Sequence, residues 1–141
     1  MNSKQVGDVT EVRILSRLIT EGYSVSTPYG DNDPYDLLVD TGSSIRKVQC
    51  KTGWIEGEVV RFKTASKTTR DGRVAMVDYD EAIDVFAVYC NERDEYYWVP
   101  VEDAGSKSTY LRVNEPDIDH PRVNRAAEYA FANRLPRIVD G

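Results

Sequence analysis

The sequence predicts an α/β fold in which a central mixed β-sheet is flanked by helices. Three observations carry this. An amphipathic helix opens the chain, short β-rich runs separated by Gly-, Asn- and Asp-containing turns fill the middle, and a second helical stretch lies near the end. The 141 residues suit one hydrophobic core, so a single domain over 1–141 is expected.

The opening helix is read over about Val6 to Glu21, with Val12, Ile14, Leu15, Leu18 and Ile19 as its apolar positions and Gly22 as its stop. Tyr23 to Thr27 alternates as a short strand, and Pro28 to Pro34 is a loop rich in Gly, Asn and Asp. Asp36 to Asp40 and Ile45 to Lys51 read as strands joined by Thr41-Gly42-Ser43-Ser44. Glu58 to Lys63 is a further strand, and Thr64 to Val74 reads as a polar, basic loop. Ile83 to Cys90 and Glu95 to Val101 are strands around the turn Asn91 to Asp94, and Tyr110 to Val113 reads as a short edge strand. A last helix is expected over about Val123 to Arg134, after Pro121.

Composition excludes several classes. Apolar residues make up 40% and charged residues 30%, the balance of a globular chain rather than a disordered one. No apolar run approaches the roughly 18 residues that cross a bilayer, and no charged-then-apolar leader pattern opens the chain. Two separate cysteines, Cys50 and Cys90, with the lone His120, cannot build a four-ligand zinc site, and a reduced, cytoplasmic protein is the simpler expectation.

Net charge is −6, but its distribution matters more than its sum. Residues 44–73 carry eight basic side chains against three acidic, a local +5, whereas 28–43 contribute −4 and 74–104 contribute −8. A basic segment on an acidic body can follow a phosphate backbone, which makes Lys63, Lys67, Arg70 and Arg73 the candidate phosphate contacts. A plain solvated loop is the competing reading. The excess of 24 acidic over 18 basic residues also fits a protein working in high salt.

Two features point to chemistry. At about 100° per residue, the expected apolar stripe of the first helix centres near Glu11, and a carboxylate facing a core needs a partner, a proton or a cation. In the hairpin, if Asp40 and Ile45 flank the turn, Asp36 falls opposite Gln49, and Lys51 shares a face with Gln49. The other face then carries Leu37, Val39, Val48 and Cys50, all apolar, which fixes the register, because a slip of one residue would expose that set. Carboxylate and amide oxygens are hard ligands suited to Mg²⁺, and a nearby lysine can steady phosphorane charge or help deprotonate a water.

Glu11, the run Pro34-Tyr35-Asp36-Leu-Leu-Val and the run Val48-Gln49-Cys50-Lys51-Thr52 together resemble the PD-(D/E)XK nuclease superfamily. The Gly22-Tyr23-x-Val25 exit from the helix is similar to archaeal Holliday-junction resolvases. The Gln-x-Lys variant, the downstream Ile83-Asp84-x-Phe86 and the Tyr97-x-Val-Pro100 run look closer to the branch containing group I intron homing endonucleases. The resemblance implies a restriction-endonuclease-like core and a metal-dependent DNA endonuclease using Mg²⁺ or Mn²⁺, with a homodimer or higher homo-oligomer acting on DNA. It implies Asp36 as principal metal ligand, the Gln49 amide oxygen and the Cys50 backbone carbonyl as further ligands, Glu11 joining directly or through water, and Lys51 as catalytic lysine. Tyr35 separates Pro34 from Asp36, and Gln49 stands where most relatives have an acid. A junction resolvase and a non-catalytic DNA-binding relative are the alternatives this leaves open.

Overall fold

The computed structural model describes residues 1–30, 32–64, 67–70, 73–76, 82–114 and 123–135. Helix α1 runs Ser3–Thr20 and begins earlier than its apolar pattern implies. The reason is a capping box. The Asn2 side chain accepts the Gln5 N–H at 2.9 Å, and Gln5 Oε1 accepts the Asn2 N–H at 3.0 Å, satisfying two donors that a helix start leaves bare. Gly22, at φ +99°, ends it in a conformation that side chains resist.

The strands are β1 (Ser24–Ser26), β2 (Leu37–Asp40), β3 (Ile45–Glu56), β4 (Val59–Lys63), β5 (Lys67–Arg70), β6 (Arg73–Met76), β7 (Val85–Cys90), β8 (Glu95–Pro100) and β9 (Ser108–Arg112). In the main sheet β1, β2, β3, β4 and β9 follow one another in antiparallel pairs. β7 joins β3 in parallel, and β8 joins β7 antiparallel, so the expected mixed sheet is present and mostly antiparallel. The hairpin register is the one the hydrophobic pattern demands, from Leu37 opposite Val48 to Asp40 opposite Ile45. β3 runs five residues past Lys51, because its second half pairs with β4, Trp54 opposite Arg61 and Glu56 opposite Val59.

Each sheet face carries its own core. On one, Leu37, Val39, Val48, Val85, Ala87 and Trp98 pack against Ile14 and Leu18 of α1. On the other, Phe86, Val88 and Val99 pack against Val60, Phe62 and Leu111, because β4 and β9 curl over them, with the Phe62 and Phe86 rings 5.8 Å apart. Asp84 fastens the parallel pair at its start. Its N–H donates to the Lys47 carbonyl and its carboxylate accepts the Lys47 N–H, both at 2.8 Å.

Three sequence expectations are corrected. In α1 the buried residues are Thr10, Ile14 and Leu18, whereas Val12 and Ile19 are 62% and 55% exposed. Thr10 joins the buried row because its hydroxyl bonds that of Thr52 on β3 at 2.7 Å. Glu11 therefore stands about 60° from the centre of the buried row, at its flank rather than its middle. The stretch 64–74 holds strands rather than only loop, with Arg70 opposite Arg73. The Asp71-Gly72 dipeptide between β-branched runs is the sequence signal of such a hairpin. The last helix is two short ones, α2 (Ala126–Tyr129) and α3 (Phe131–Arg134), broken at Ala130, whose extended backbone (φ −57°, ψ 143°) bridges to Tyr97 of β8. The break takes the chain across the sheet edge, so Tyr129 enters one core and Phe131 the other.

Gly53 sits where β4 crosses close to β7. A Cβ there would lie 2.9 Å from a Val88 methyl and 3.0 Å from a Val60 methyl. Gly53→Ala is expected to lower stability by about 1–3 kcal/mol through overpacking, read as a drop in the urea midpoint at unchanged slope.

Candidate active site

β3 outruns its neighbour. β2 pairs with it only from Ile45 to Val48 and β4 only from Trp54 to Glu56, so among the described residues 49–53 have β7 as their one strand partner and the opposite edge there is open. Asp36, one residue before β2, fills the first place. Its N–H donates to the Val48 carbonyl at 2.8 Å, and its Oδ2 accepts the Cys50 N–H at 2.8 Å. A strand residue directs its N–H and C=O to the same edge, so the Cys50 carbonyl faces the side on which the Asp36 carboxylate lies.

Side chains reach this edge from both faces of the sheet. Gln49 and Lys51 rise from the face of Phe86 and Val88, their neighbours across β7. The Cys50 side chain rises from the opposite face, where α1 packs, and there Glu11 lines a cavity of about 290 Å³ together with Thr27, Pro28, Gly30, Asp33, Tyr35 and Asp36. Gln49 Oε1 is buried and has no hydrogen-bond partner among the described residues. A buried amide oxygen without a donor is costly, and a cation is one species that satisfies it.

The electrostatics show groups held away from their ordinary ionisation. Burial pushes the Asp36 carboxyl up, and the Cys50 N–H bond and the Lys51 ammonium offset only part of this. Burial likewise raises Glu11, with Asp36 and Asp8 adding like charge. Burial pushes Lys51 down, opposed by Asp36. The Cys50 thiol is driven well up by burial, then by Asp36 and Glu11, so it is no thiolate nucleophile. Asp36 thus interacts with Glu11 on one face of the sheet and with Lys51 on the other, in half-buried surroundings that disfavour the charges of all three, an arrangement typical of functional sites.

The donor set fits a hard divalent ion. Asp36 supplies a carboxylate, Cys50 a carbonyl on the same edge, and Gln49 an amide oxygen with nothing else to bind. No group of three or more His, Cys, Asp or Glu side chains forms a cage among the described residues. Mg²⁺ does not require one, since it keeps several waters and takes one or two carboxylates.

Of the residues expected from sequence, Glu11, Asp36 and Cys50 are brought together, with Lys51 within electrostatic reach of Asp36. Lys63 is exposed at the end of β4, opposite Ser108. Lys67, Arg70 and Arg73 lie on β5 and β6, apart from the main sheet, and His120 falls outside the described residues. Trp54 forms a cross-strand row with Arg61 and Tyr110, the guanidinium lying 5.5 Å and 5.4 Å from the two rings. Asp33 and Tyr35 also line the cavity and carry no role in the sequence reading. Their signal was the acidic Asp31-Asn32-Asp33-Pro34 loop just before Asp36.

A mixed sheet whose central strand presents an amide oxygen and a lysine, with the Asp36 carboxylate held against its open edge, defines a restriction-endonuclease-like protein. The PD-(D/E)XK endonuclease family model matches residues 1–132, and the chain belongs to that family. It is also similar to the solved structure of a bacterial homing endonuclease, I-Ssp6803I, at 25% identity and a TM-score of 0.72, over 96% of this chain and 93% of that one. No curated protein matches it.

Asp36 and Glu11 bind their protons more tightly in the folded chain than at the ordinary values of 3.8 and 4.5. Their effect favours folding below those values and is lost as pH rises through the raised ones. Asp36→Asn, whose amide oxygen can still accept the Cys50 N–H, is expected to raise the melting temperature at pH 7 in chelator. The gain is about 4 °C per kcal/mol relieved, and it disappears at acid pH in parallel melts of both proteins.

Proposed function

We propose that this protein is an endonuclease that hydrolyses DNA phosphodiester bonds with Mg²⁺ or Mn²⁺. One observation carries the reading: Asp36 accepts the Cys50 N–H at the open edge of β3, which gathers a carboxylate and a carbonyl beside the unpartnered Gln49 oxygen. Asp36, Gln49 Oε1 and the Cys50 carbonyl would hold the ion, with Glu11 joining directly or through a water. The bound ion supplies Lewis-acid stabilisation of the phosphate charge and lowers the pKa of a water.

The chain's own residues do the rest. Lys51, with its ammonium disfavoured by burial, sits two residues past Gln49 on the same face, suited to orient the attacking water and help take its proton. Asp36 anchors the site to β3, so that ligands and lysine keep fixed spacing. Lys63, Lys67, Arg70 and Arg73 would grip backbone phosphates beside the cut, an interaction that weakens with salt. Family membership supports DNA as substrate, and the likeness to a homing endonuclease favours site-specific cutting over junction resolution. Two active sites, and hence two copies, suit cleavage of both strands.

Gln49 brings no negative charge where a glutamate would bring one, and this favours a second reading, a DNA-binding relative with a weakened site. The test is cleavage of supercoiled plasmid and of a four-way junction in Mg²⁺ or Mn²⁺, from low to molar salt. Wild type is expected to cut, Lys51→Ala to lose at least ~100-fold in rate, and Gln49→Glu to bind metal more tightly. DNA binding without metal-dependent cutting by either wild type or Gln49→Glu would establish the non-catalytic reading instead.

A further inference from the structure

The outward face of α1 is unusual for its element. Among the described residues seven large apolar side chains are exposed, and three of them, Val9, Val12 and Ile19, lie on this one face. With Ser16 they fall at positions 9, 12, 16 and 19, the alternating three- and four-residue spacing of a helix–helix seam. The face points directly away from the buried row Thr10, Ile14 and Leu18, so nothing in the helix's own packing accounts for it.

Charges flank this seam in a telling order. Asp8 precedes Val9 and Arg13 follows Val12, the two positions that face each other across a parallel helix pair five residues apart. Neither side chain has an ion-pair partner within the chain among the described residues. The Arg13 guanidinium lies 5.3 Å from the centre of the Tyr89 ring, so a carboxylate of a second copy would meet it from its outer side. An antiparallel arrangement would instead set Val9 against Ile19 and Val12 against Ser16, and would take Asp8 away from Arg13.

We propose that a second copy of the chain docks on Val9, Val12, Ser16 and Ile19 of α1, with the two helices parallel about a two-fold axis and Asp8 of each facing Arg13 of the other. The seam spans only about two heptads, so the free chain pairs weakly and pairing tightens when two copies are held on one DNA. Because the axis runs along α1, both Glu11-bearing sites lie at the same height, as a duplex crossing the dyad requires. This consequence for cutting rests on the nuclease reading above; the pairing itself does not.

Disulfide trapping tests it. Paired seam positions in a parallel dimer approach within disulfide reach, about 4.4–6.8 Å between Cα atoms. Full-length Ser16→Cys is oxidised with and without sheared duplex DNA and run on a non-reducing gel, with wild type reporting any trapping through Cys50 and Cys90. The expected result is a dimer band from Ser16→Cys, strengthened by DNA and lost when Val12→Asp and Ile19→Asp are added. These two positions are exposed, so the fold tolerates the change, and circular dichroism verifies it. A dimer trapped only from a mixture of Val12→Cys and Ser16→Cys chains would mean an antiparallel pair and overturn the proposal. So would a band that persists in the Asp variants, or none in any condition. In the plasmid assay the Asp variants should nick rather than linearise. Linearisation at the wild-type rate would overturn the dyad arrangement, whereas absence of cutting by wild type would count against the nuclease reading and leave the trapping result to judge the seam.

Discussion

The candidate site depends on how one carboxylate is tied to one strand. Asp36 takes the place a β2 residue would hold if the hairpin continued, giving its N–H to Val48 and receiving the Cys50 N–H on its carboxylate. The carboxylate thus ends the β2–β3 ladder and keeps the next stretch of β3 clear. Gln49, Cys50 and Lys51 owe their spacing to the strand itself, and their position relative to Asp36 to these two bonds. The register behind them is held by Leu37, Val39 and Val48, each fully buried against α1. A slip of the hairpin would lose that burial, at about 1.5–3 kcal/mol for each side chain exposed. Core packing therefore protects the geometry of the chemistry.

The same arrangement opposes the charges it gathers. Half-buried carboxylates and a half-buried lysine are all pushed toward neutrality, and the Gln49 oxygen has no donor. A well-packed site of this kind is less stable than it would be with apolar residues, a cost that proteins concentrate where function requires it. A divalent ion would answer the strains on the carboxylates and on the amide oxygen together, while disfavouring the Lys51 ammonium further. Asp84, by contrast, lies just before the hydrophobic run of β7 and, among the described residues, bonds only backbone donors and acceptors, fastening β7 and β8 to β3.

The sheet was legible in the sequence wherever one face was apolar and the other polar. The Leu37 to Val48 pattern fixed the hairpin to the residue, and with it the relation of Asp36 to the Gln49–Lys51 segment. Legibility failed where exposure and apolarity part company. Val12 and Ile19 read as core because they are apolar, yet the helix buries the row containing Thr10, a polar residue whose one hydrogen bond to Thr52 makes its burial tolerable. The final helix failed for a tertiary reason: Ala130 is an excellent helix former, and only the bridge to Tyr97 at the sheet edge turns it extended. The hairpin of β5 and β6 was present in the Asp71-Gly72 signal but hidden by the basic, polar composition around it. Glu11 reached the neighbourhood of Asp36 even so, because a flank position of α1 overlooks the end of β2.

The central claim is that Asp36, Gln49 and Cys50 share one divalent ion. The most direct measurement is anomalous scattering from crystals of the wild-type protein soaked in Mn²⁺. The account predicts a single strong peak about 2.0–2.3 Å from an Asp36 carboxylate oxygen, Gln49 Oε1 and the Cys50 carbonyl oxygen. A peak elsewhere, or one bound by Asp36 while the Gln49 amide turns its oxygen to a protein donor, would contradict it.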